Sequence, residues 1–169
     1  VIKALLDFGR PSAPTLRLTN VEDVVNDVVL FTRQFAGQAK VEIDTAYSAA
    51  DPTVLADADQ LKQVFVNLVS NAVQSMEDTG GTIGVRVWDD DAFVFVSVAD
   101  TGPGMASDVL DKVFDPFYST RDSGTGLGRT IVHRIIDQHG GRVEVESAPG
   151  QGTRFTVALP ARTRGESSR

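Results

Sequence analysis

DADQLKQVFVNLVSNAVQSM, residues 57–76, is the stretch from which the fold can be built outward. Its apolar residues recur at spacings of three and four, the period of a helix that buries one face. They are Leu61, Val64, Phe65, Leu68, Val69, Ala72, Val73 and Met76. Asp57 or Asp59 is the expected N-cap, because a carboxylate there accepts hydrogen bonds from the first free N–H groups. The stretch therefore predicts a long amphipathic helix that ends near Met76.

The opposite face of this helix carries amide side chains. They are Gln60, Gln63, Asn67, Asn71 and Gln74, which we call the amide stripe. Four residues advance about 400° around a helix axis, so these amides lie nearly one above another. A solvated helix surface is one explanation of the stripe. Asparagine is a poor helix former, however, and a neutral oxygen ligand for Mg²⁺ beside phosphates is the other explanation.

The segments around this helix alternate between strand and helix patterns. Strands are predicted at 15–19, 40–47, 82–88, 93–99, 142–147 and 153–159. Further helices are predicted at about 20–35, 107–114 and 127–139. An acidic turn at 89–91 joins two of the strands, which should therefore pair antiparallel.

Composition limits what the chain can do. It has 169 residues, 41% hydrophobic and 23% charged, which is typical of one globular domain. A net charge of -7 argues against a broad surface for nucleic acid or anionic membranes, and the lack of cysteine excludes thiolate metal sites. No apolar run approaches the roughly 18 residues that span a bilayer. Twelve of the 15 glycines lie between Gly80 and Gly152, so some feature there requires bare backbone.

Two motifs in the glycine-rich region can carry chemistry. Asp100-Thr101-Gly102-Pro103-Gly104 places a carboxylate at the end of a strand, either as an ordinary turn or as an acceptor for the amine of a planar base. Residues 124–128, GTGLG, lead into a helix whose free N–H groups can bind a phosphate chain. The second motif is neither the dinucleotide pattern G-x-G-x-x-G after a first strand nor a P-loop, because no Lys-Ser or Lys-Thr follows.

Taken in order, these motifs resemble those of the ATP-binding catalytic domain of sensor histidine kinases, within the gyrase, Hsp90, histidine kinase and MutL superfamily. Residues 63–72 resemble the N box, 100–105 the first glycine box, 114–117 the F box, 124–128 the second glycine box and 150–155 the last. The resemblance implies a two-layer α/β sandwich, in which a mixed sheet carries its helices on one face (the Bergerat-type ATP-binding fold).

The resemblance also implies roles for individual residues. Asn71 would bind Mg²⁺ through its amide oxygen, and Asn67 would lie beside the phosphates, so both count as catalytic. Asp100 would hold the adenine amino group, with Gly104 and Thr153 lining the base pocket. Further nucleotide contacts are implied for Gly102, Phe117, Arg121, Gly124, Thr125, Gly126, Leu127 and Gly128.

The F box is followed closely by the second glycine box, which implies a short ATP lid of the nitrogen-regulation type. Phe114 and Phe117 would anchor its base, a role compatible with plain core packing. Arg121 would contact phosphate or a partner, with a solvated loop arginine as the alternative. His133 and His139 lack the context of a phosphoacceptor and are interpreted as structural or surface residues.

The implied activity is binding of Mg-ATP and transfer of its γ-phosphoryl group to a histidine on a separate, upstream dimerisation domain. An aspartate in the receiver domain of a response regulator would then take the phosphoryl group. We expect a cytoplasmic location, a homodimeric full-length protein, and no contact of this fragment with nucleic acid or membrane. The alternatives are a serine kinase or ATPase of the same superfamily, and a non-catalytic nucleotide-dependent module. Because Asn67 stands where the ATPases carry glutamate, hydrolysis should be slow.

The resemblance and the residue patterns together predict how the chain is divided into segments. Residues 5–11, LLDFGRP, resemble the last turns of the dimerisation domain in nitrogen-regulation kinases. We therefore expect residues 1–14 to be the end of that helix and a linker, 15–160 to be the ATP-binding domain, and 161–169 to be a disordered tail.

Overall fold

The computed structural model of the chain describes residues 13–110 and 127–162. The strands are β1 (Arg17–Asn20), β2 (Val41–Tyr47), β3 (Thr53–Ala56), β4 (Gly81–Asp89), β5 (Phe93–Asp100), β6 (Arg142–Ser147) and β7 (Thr153–Pro160). The helices are α1 (Val21–Gln38), α2 (Ala58–Ser75), α3 (Ser107–Leu110) and α4 (Leu127–Gln138). The predicted pattern of strands and helices is therefore present throughout the described ranges.

The main sheet has five strands in the order β2-β4-β5-β7-β6. β2 runs parallel to β4, and every other neighbouring pair in this sheet is antiparallel. The sheet is therefore mixed, as predicted. β7 lies between β5 and β6, and its register places Thr153 directly opposite Asp100. This pairing brings the end of β5 next to the start of β7, so that Asp100 and Thr153 lie at the same end of the two strands.

The helices pack on one face of that sheet. α1 lies against β2, α2 against β4 and β5, and α4 against β6. The predicted apolar stripe of residues 57–76 is buried in this layer, and Phe65 is only 1% exposed. On β5, Val94, Val96 and Val98 face the helices and are buried, because successive side chains of a strand point to opposite sides. The two-layer α/β sandwich is confirmed.

Two local features differ from the sequence prediction. No strand was predicted for residues 53–56, yet β3 pairs with β1 to form a separate two-stranded sheet, with Leu18 opposite Leu55. Four residues are too few for an alternating pattern to be recognised, and only their pairing with β1 makes them a strand. α1 also continues beyond Phe35 to Gln38.

The first two residues of the predicted tail make contacts. The N–H of Ala161 donates to the carbonyl of Ala92, and Nε of Arg162 donates to a carboxylate oxygen of Asp51 at 3.1 Å. Residues 1–12 and 163–169 lie outside the described ranges. Within the described residues, none of the helices combines the length and the apolar character needed to cross a bilayer.

Candidate functional site

The start of α2 is held by Asp57, one of the two predicted N-caps. Its carboxylate accepts hydrogen bonds from the N–H groups of Asp59 and Gln60 at 3.1 and 3.2 Å, and from Thr15 at 3.0 Å. Burial alone would raise the pKa of this carboxyl, but the three N–H donors outweigh it, so that the pKa lies below its ordinary value. The helix that carries the amide stripe is thus capped by an ionised side chain.

The amide stripe lies beside the core face of α2. Asn67 and Asn71 are half-buried, whereas their neighbours Leu68 and Ala72 are buried. One helical turn beyond Asn71 lies Ser75, and a Cβ atom built on Gly102 would lie 2.9 Å from the Ser75 hydroxyl. The stripe therefore ends against the loop that follows β5, and the tertiary structure joins the N box to the first glycine box.

Asp100 ends β5, and two backbone N–H groups contact its carboxylate. The N–H of Gly102 donates to its Oδ1 at 2.9 Å, and the N–H of Thr153 also donates to the carboxylate. Burial raises the pKa of the Asp100 carboxyl above its ordinary value, and these two N–H groups offset only part of that rise. A half-buried carboxylate with this environment favours a further hydrogen-bond donor, such as an exocyclic amine.

A pocket of about 400 Å³ opens beside this carboxylate. Its lining includes Asp100, Ser147, Gln151 and Thr153, which come from the ends of three strands and the loop between β6 and β7. The sequence-predicted pair Asp100 and Thr153 is thus brought together in one cavity.

Two glycines allow the loops around the pocket to approach one another. Gly104 has φ +72°, and a Cβ atom there would overlap the carbonyl oxygen of Ala148. Gly152 has φ +75°, and a Cβ atom there would overlap the carbonyl oxygen of Asp100. Both the positive φ and the close backbone approach require glycine. The glycine enrichment seen in the sequence therefore has a structural cause on this side of the site.

The other side of the predicted site falls largely outside the described residues. This applies to Phe114, Phe117, Arg121, Gly124, Thr125 and Gly126. Leu127 and Gly128 begin α4, which packs against α2. The predicted phosphate loop thus leads directly into a helix that packs against α2.

The donors present fit a magnesium nucleotide. Asn71 offers a neutral amide oxygen, and Mg²⁺ in nucleotide sites is commonly held by one or two protein ligands together with phosphate oxygens. Among residues 13–110 and 127–162, no three His, Cys, Asp or Glu side chains are grouped so that they could hold a metal ion.

Sequence reasoning missed two hydroxyl residues of this site. Ser75 lies beside Gly102, and Ser147 hydrogen-bonds to Met105, Gly152 and Thr153. A serine at the end of a helix or strand has no distinctive sequence pattern, so only the folded arrangement reveals these contacts. Extending the amide stripe by one helical turn would have pointed to Ser75.

Comparison with known proteins places these features in a family context. The profile of the family described as "Histidine kinase-, DNA gyrase B-, and HSP90-like ATPase" matches residues 56–163. Sporulation kinase A of Bacillus subtilis is 34% identical over 161 residues, which are 95% of this chain and 26% of that protein. The chain therefore spans about a quarter of the length of this curated relative.

Solved structures show the same fold. The catalytic domain of histidine kinase ThkA superposes with a TM-score of 0.77 at 30% identity, covering 86% of this chain and 95% of that one. Full-length ShkA in complex with AMPPNP gives a TM-score of 0.85 at 33% identity, covering 96% of this chain and 35% of that one. ThkA in complex with the response regulator protein TrrA gives 0.81 at 26% identity, covering 95% and 46%.

Proposed function

This chain belongs to the histidine kinase-, DNA gyrase B-, and HSP90-like ATPase family, and we propose that it binds Mg-ATP and delivers the γ-phosphoryl group to a histidine on a separate domain. The observation that carries the proposal is the pairing of Asp100 with Thr153 at a pocket, together with the approach of Gly102, two residues after Asp100, to Ser75, one helical turn beyond Asn71. One site then offers an acceptor for a base at one end and amide oxygens at the other.

Asp100 binds the base end of the nucleotide in this proposal. Its carboxylate accepts a hydrogen bond from the adenine amine, and Gly102 and Thr153 hold the carboxylate in place through their N–H groups. Gly102 lets the loop after the carboxylate approach Ser75, and Gly104 lets it approach the backbone of Ala148. Guanine carries a carbonyl where adenine carries the amine, so an ionised acceptor selects ATP over GTP.

Asn67 and Asn71 bind the phosphate end. Asn71 holds Mg²⁺ through its amide oxygen, and the metal, when bound, offsets the negative charge of the phosphates. Asn67 lies one turn earlier on the same face, beside the phosphates. Phosphoryl transfer requires mainly positioning and charge stabilisation from the protein. Neither amide can act as a general base, so transfer to water is slow and the phosphoryl group is kept for the acceptor.

The residues of the proposed ATP lid lie outside the described ranges. We propose that Phe114 and Phe117 anchor it, that Arg121 contacts phosphate or a partner, and that Gly124, Thr125, Gly126, Leu127 and Gly128 contact the nucleotide. The packing of α4, which begins at Leu127, against α2, the helix that carries Asn67 and Asn71, supports this assignment.

We propose that the acceptor histidine lies on an upstream dimerisation domain and that the full-length protein is a cytoplasmic homodimer. Residues 1–14 would link that domain to the nucleotide-binding unit, residues 15–160. A response regulator would take the phosphoryl group from the histidine. The solved complex of ThkA with its response regulator supports this type of partner.

Asn71→Ala tests the proposal at its metal end. The chain is mixed with labelled ATP, Mg²⁺ and a separately produced dimerisation domain, and both nucleotide affinity and transfer are measured. We expect Asn71→Ala to lose Mg²⁺-dependent ATP binding and transfer while unfolding at the same denaturant concentration, because its side chain lies off the core face. Gln34→Ala, which removes an exposed amide from α1, is the matched control.

The chemistry of the label separates the alternatives. An acid-labile, base-stable label indicates phosphohistidine, whereas an acid-stable label indicates a serine kinase. Intact ATP affinity without transfer to any acceptor indicates a non-catalytic module. Unchanged Mg-ATP affinity and transfer in Asn71→Ala would show that the metal assignment is wrong.

A further inference from the structure

Ser147, the last residue of β6, makes side-chain contacts to three groups from two other segments of the site. Its Oγ lies 2.8 Å from the N–H nitrogen of Met105, 2.9 Å from the carbonyl oxygen of Gly152 and 2.9 Å from Oγ1 of Thr153. Met105 is the last residue of the first glycine box, and Gly152 and Thr153 belong to the last one. The serine thus connects the two glycine boxes that border the Asp100 pocket.

Counting protons assigns the direction of each of these hydrogen bonds. A serine hydroxyl has one proton to donate and two lone pairs that accept. The N–H of Met105 donates to one lone pair, and the carbonyl of Gly152 can only accept, so it receives the Ser147 proton. The remaining lone pair of Ser147 is filled by the Thr153 hydroxyl, which must therefore be the donor in that contact.

The hydrogen bond that Thr153 donates to Ser147 determines what Thr153 can offer to a ligand in the pocket. Because Thr153 uses its only proton on Ser147, its Oγ1 can act toward any ligand only as a hydrogen-bond acceptor. Asp100, opposite Thr153 in the sheet and lining the same pocket, is also an acceptor. The two side chains therefore offer a pair of acceptors, which suits an amine and disfavours a carbonyl at the same position of the base.

We infer that Ser147 is a positioning residue that determines base specificity, by holding the Thr153 hydroxyl as an acceptor beside Asp100. This inference rests on the proposed function, because it names the group that makes the same pocket selective for an amino base. Without the Ser147 hydroxyl, Thr153 is free to turn its proton toward the pocket and donate to a carbonyl. Selectivity between the two bases then falls, even where the pocket keeps its shape.

The test measures the dissociation constants of ATP and GTP for the whole chain and three variants. Ser147→Ala should reduce the preference for ATP over GTP by about tenfold, which corresponds to about 1.4 kcal/mol. Ser147→Thr retains a hydroxyl at the end of the strand and should restore the preference to within about threefold. Ser48→Ala removes a hydroxyl from an exposed position after β2 and should leave both affinities unchanged.

Thr153→Val provides a second, independent measurement should Ser147→Ala fail to fold. It removes the hydroxyl that Ser147 holds and keeps the side-chain shape, so it should lower the preference by a similar factor. In the double variant the loss should be no larger than in either single variant, because both act through one hydrogen bond.

Equal weakening of ATP and GTP binding in Ser147→Ala would overturn the inference, since that result describes a structural role only. Failure of Ser147→Thr to restore the preference in a folded protein would do the same, as would a Thr153→Val variant with unchanged preference. A wild-type chain that binds neither nucleotide, or both equally, would instead contradict the proposed function itself.

Discussion

The Nε2 atom of His139 accepts a hydrogen bond from the backbone N–H of Asp57 at 3.1 Å, across 82 positions of sequence. Nδ1 of the same ring lies 2.7 Å from the carbonyl oxygen of Ile135. Since a carbonyl only accepts, Nδ1 carries the proton and the ring is neutral. His139 is buried at the end of α4, and Asp57 caps α2. The helix that follows the predicted phosphate loop is thereby tied to the helix that carries the amide stripe.

His139→Ala should destabilise the domain, because it leaves the Asp57 N–H without its acceptor and opens a cavity beside it. We expect the free energy of unfolding to fall by about 1–3 kcal/mol, measured by urea denaturation. Gln138→Ala, at an exposed position at the end of α4, is the control and should change it by less than about 0.5 kcal/mol. Equal stabilities of the two variants would show that the bond between the helices contributes nothing.

Asp57→Ala removes the N-cap of α2 and should lower the free energy of unfolding by about 1 kcal/mol. Because the folded pKa of Asp57 lies below the ordinary value of 3.8, its stabilisation is present above pH 3.8. It is lost as the pH falls through the folded pKa. An NMR titration of the Asp57 carboxyl checks the direction, and a midpoint above 3.8 would contradict it.

Asp100→Asn should separate stability from binding. Burial raises the pKa of Asp100 above 3.8, so its contribution to stability is complete below pH 3.8 and is lost as the pH rises through the folded pKa. The asparagine has no such loss, and its amide oxygen can still accept from Gly102. At neutral pH we therefore expect a free energy of unfolding equal to or higher than that of the wild type.

The same variant should bind ATP at least about tenfold more weakly, because a hydrogen bond to a charged acceptor contributes about 1.5–3 kcal/mol. Isothermal titration at constant Mg²⁺ measures the loss. In the wild-type chain, ATP affinity should also decline as the pH is lowered toward the raised pKa of Asp100. A variant with wild-type affinity and reduced stability would reverse both expectations.

Gly104→Ala and Gly150→Ala form a matched pair in the loops around the pocket. Both glycines have positive φ, of +72° and +77°, so each alanine is strained by about 1–2 kcal/mol. Only at Gly104 does the new Cβ atom overlap a neighbour, the carbonyl oxygen of Ala148, whereas nothing lies within 4 Å at Gly150. Gly104→Ala should therefore be clearly less stable in thermal unfolding. Equal melting temperatures of the two variants would mean that the loops move apart without any loss of stability.

The strongest local patterns predicted their elements well. The helix of residues 57–76, its buried stripe and its Asp57 cap are all confirmed, because a helix and its cap depend on residues a few positions apart. The β4–β5 hairpin follows from two alternating runs around an acidic turn. β3 was missed because its four residues become a strand only by pairing with β1.

The sequence by itself determined which chemical groups the chain offers: the amides of Asn67 and Asn71, the carboxylate of Asp100 and the enrichment in glycine. Only the tertiary structure decided that Thr153 lies opposite Asp100, that Ser147 joins the two loops beside them, and that Ser75 leads the amide stripe to Gly102. The reason is physical. These contacts depend on strand order and register across the sheet, which are set by burial of the whole apolar face and leave no periodic pattern in any single segment.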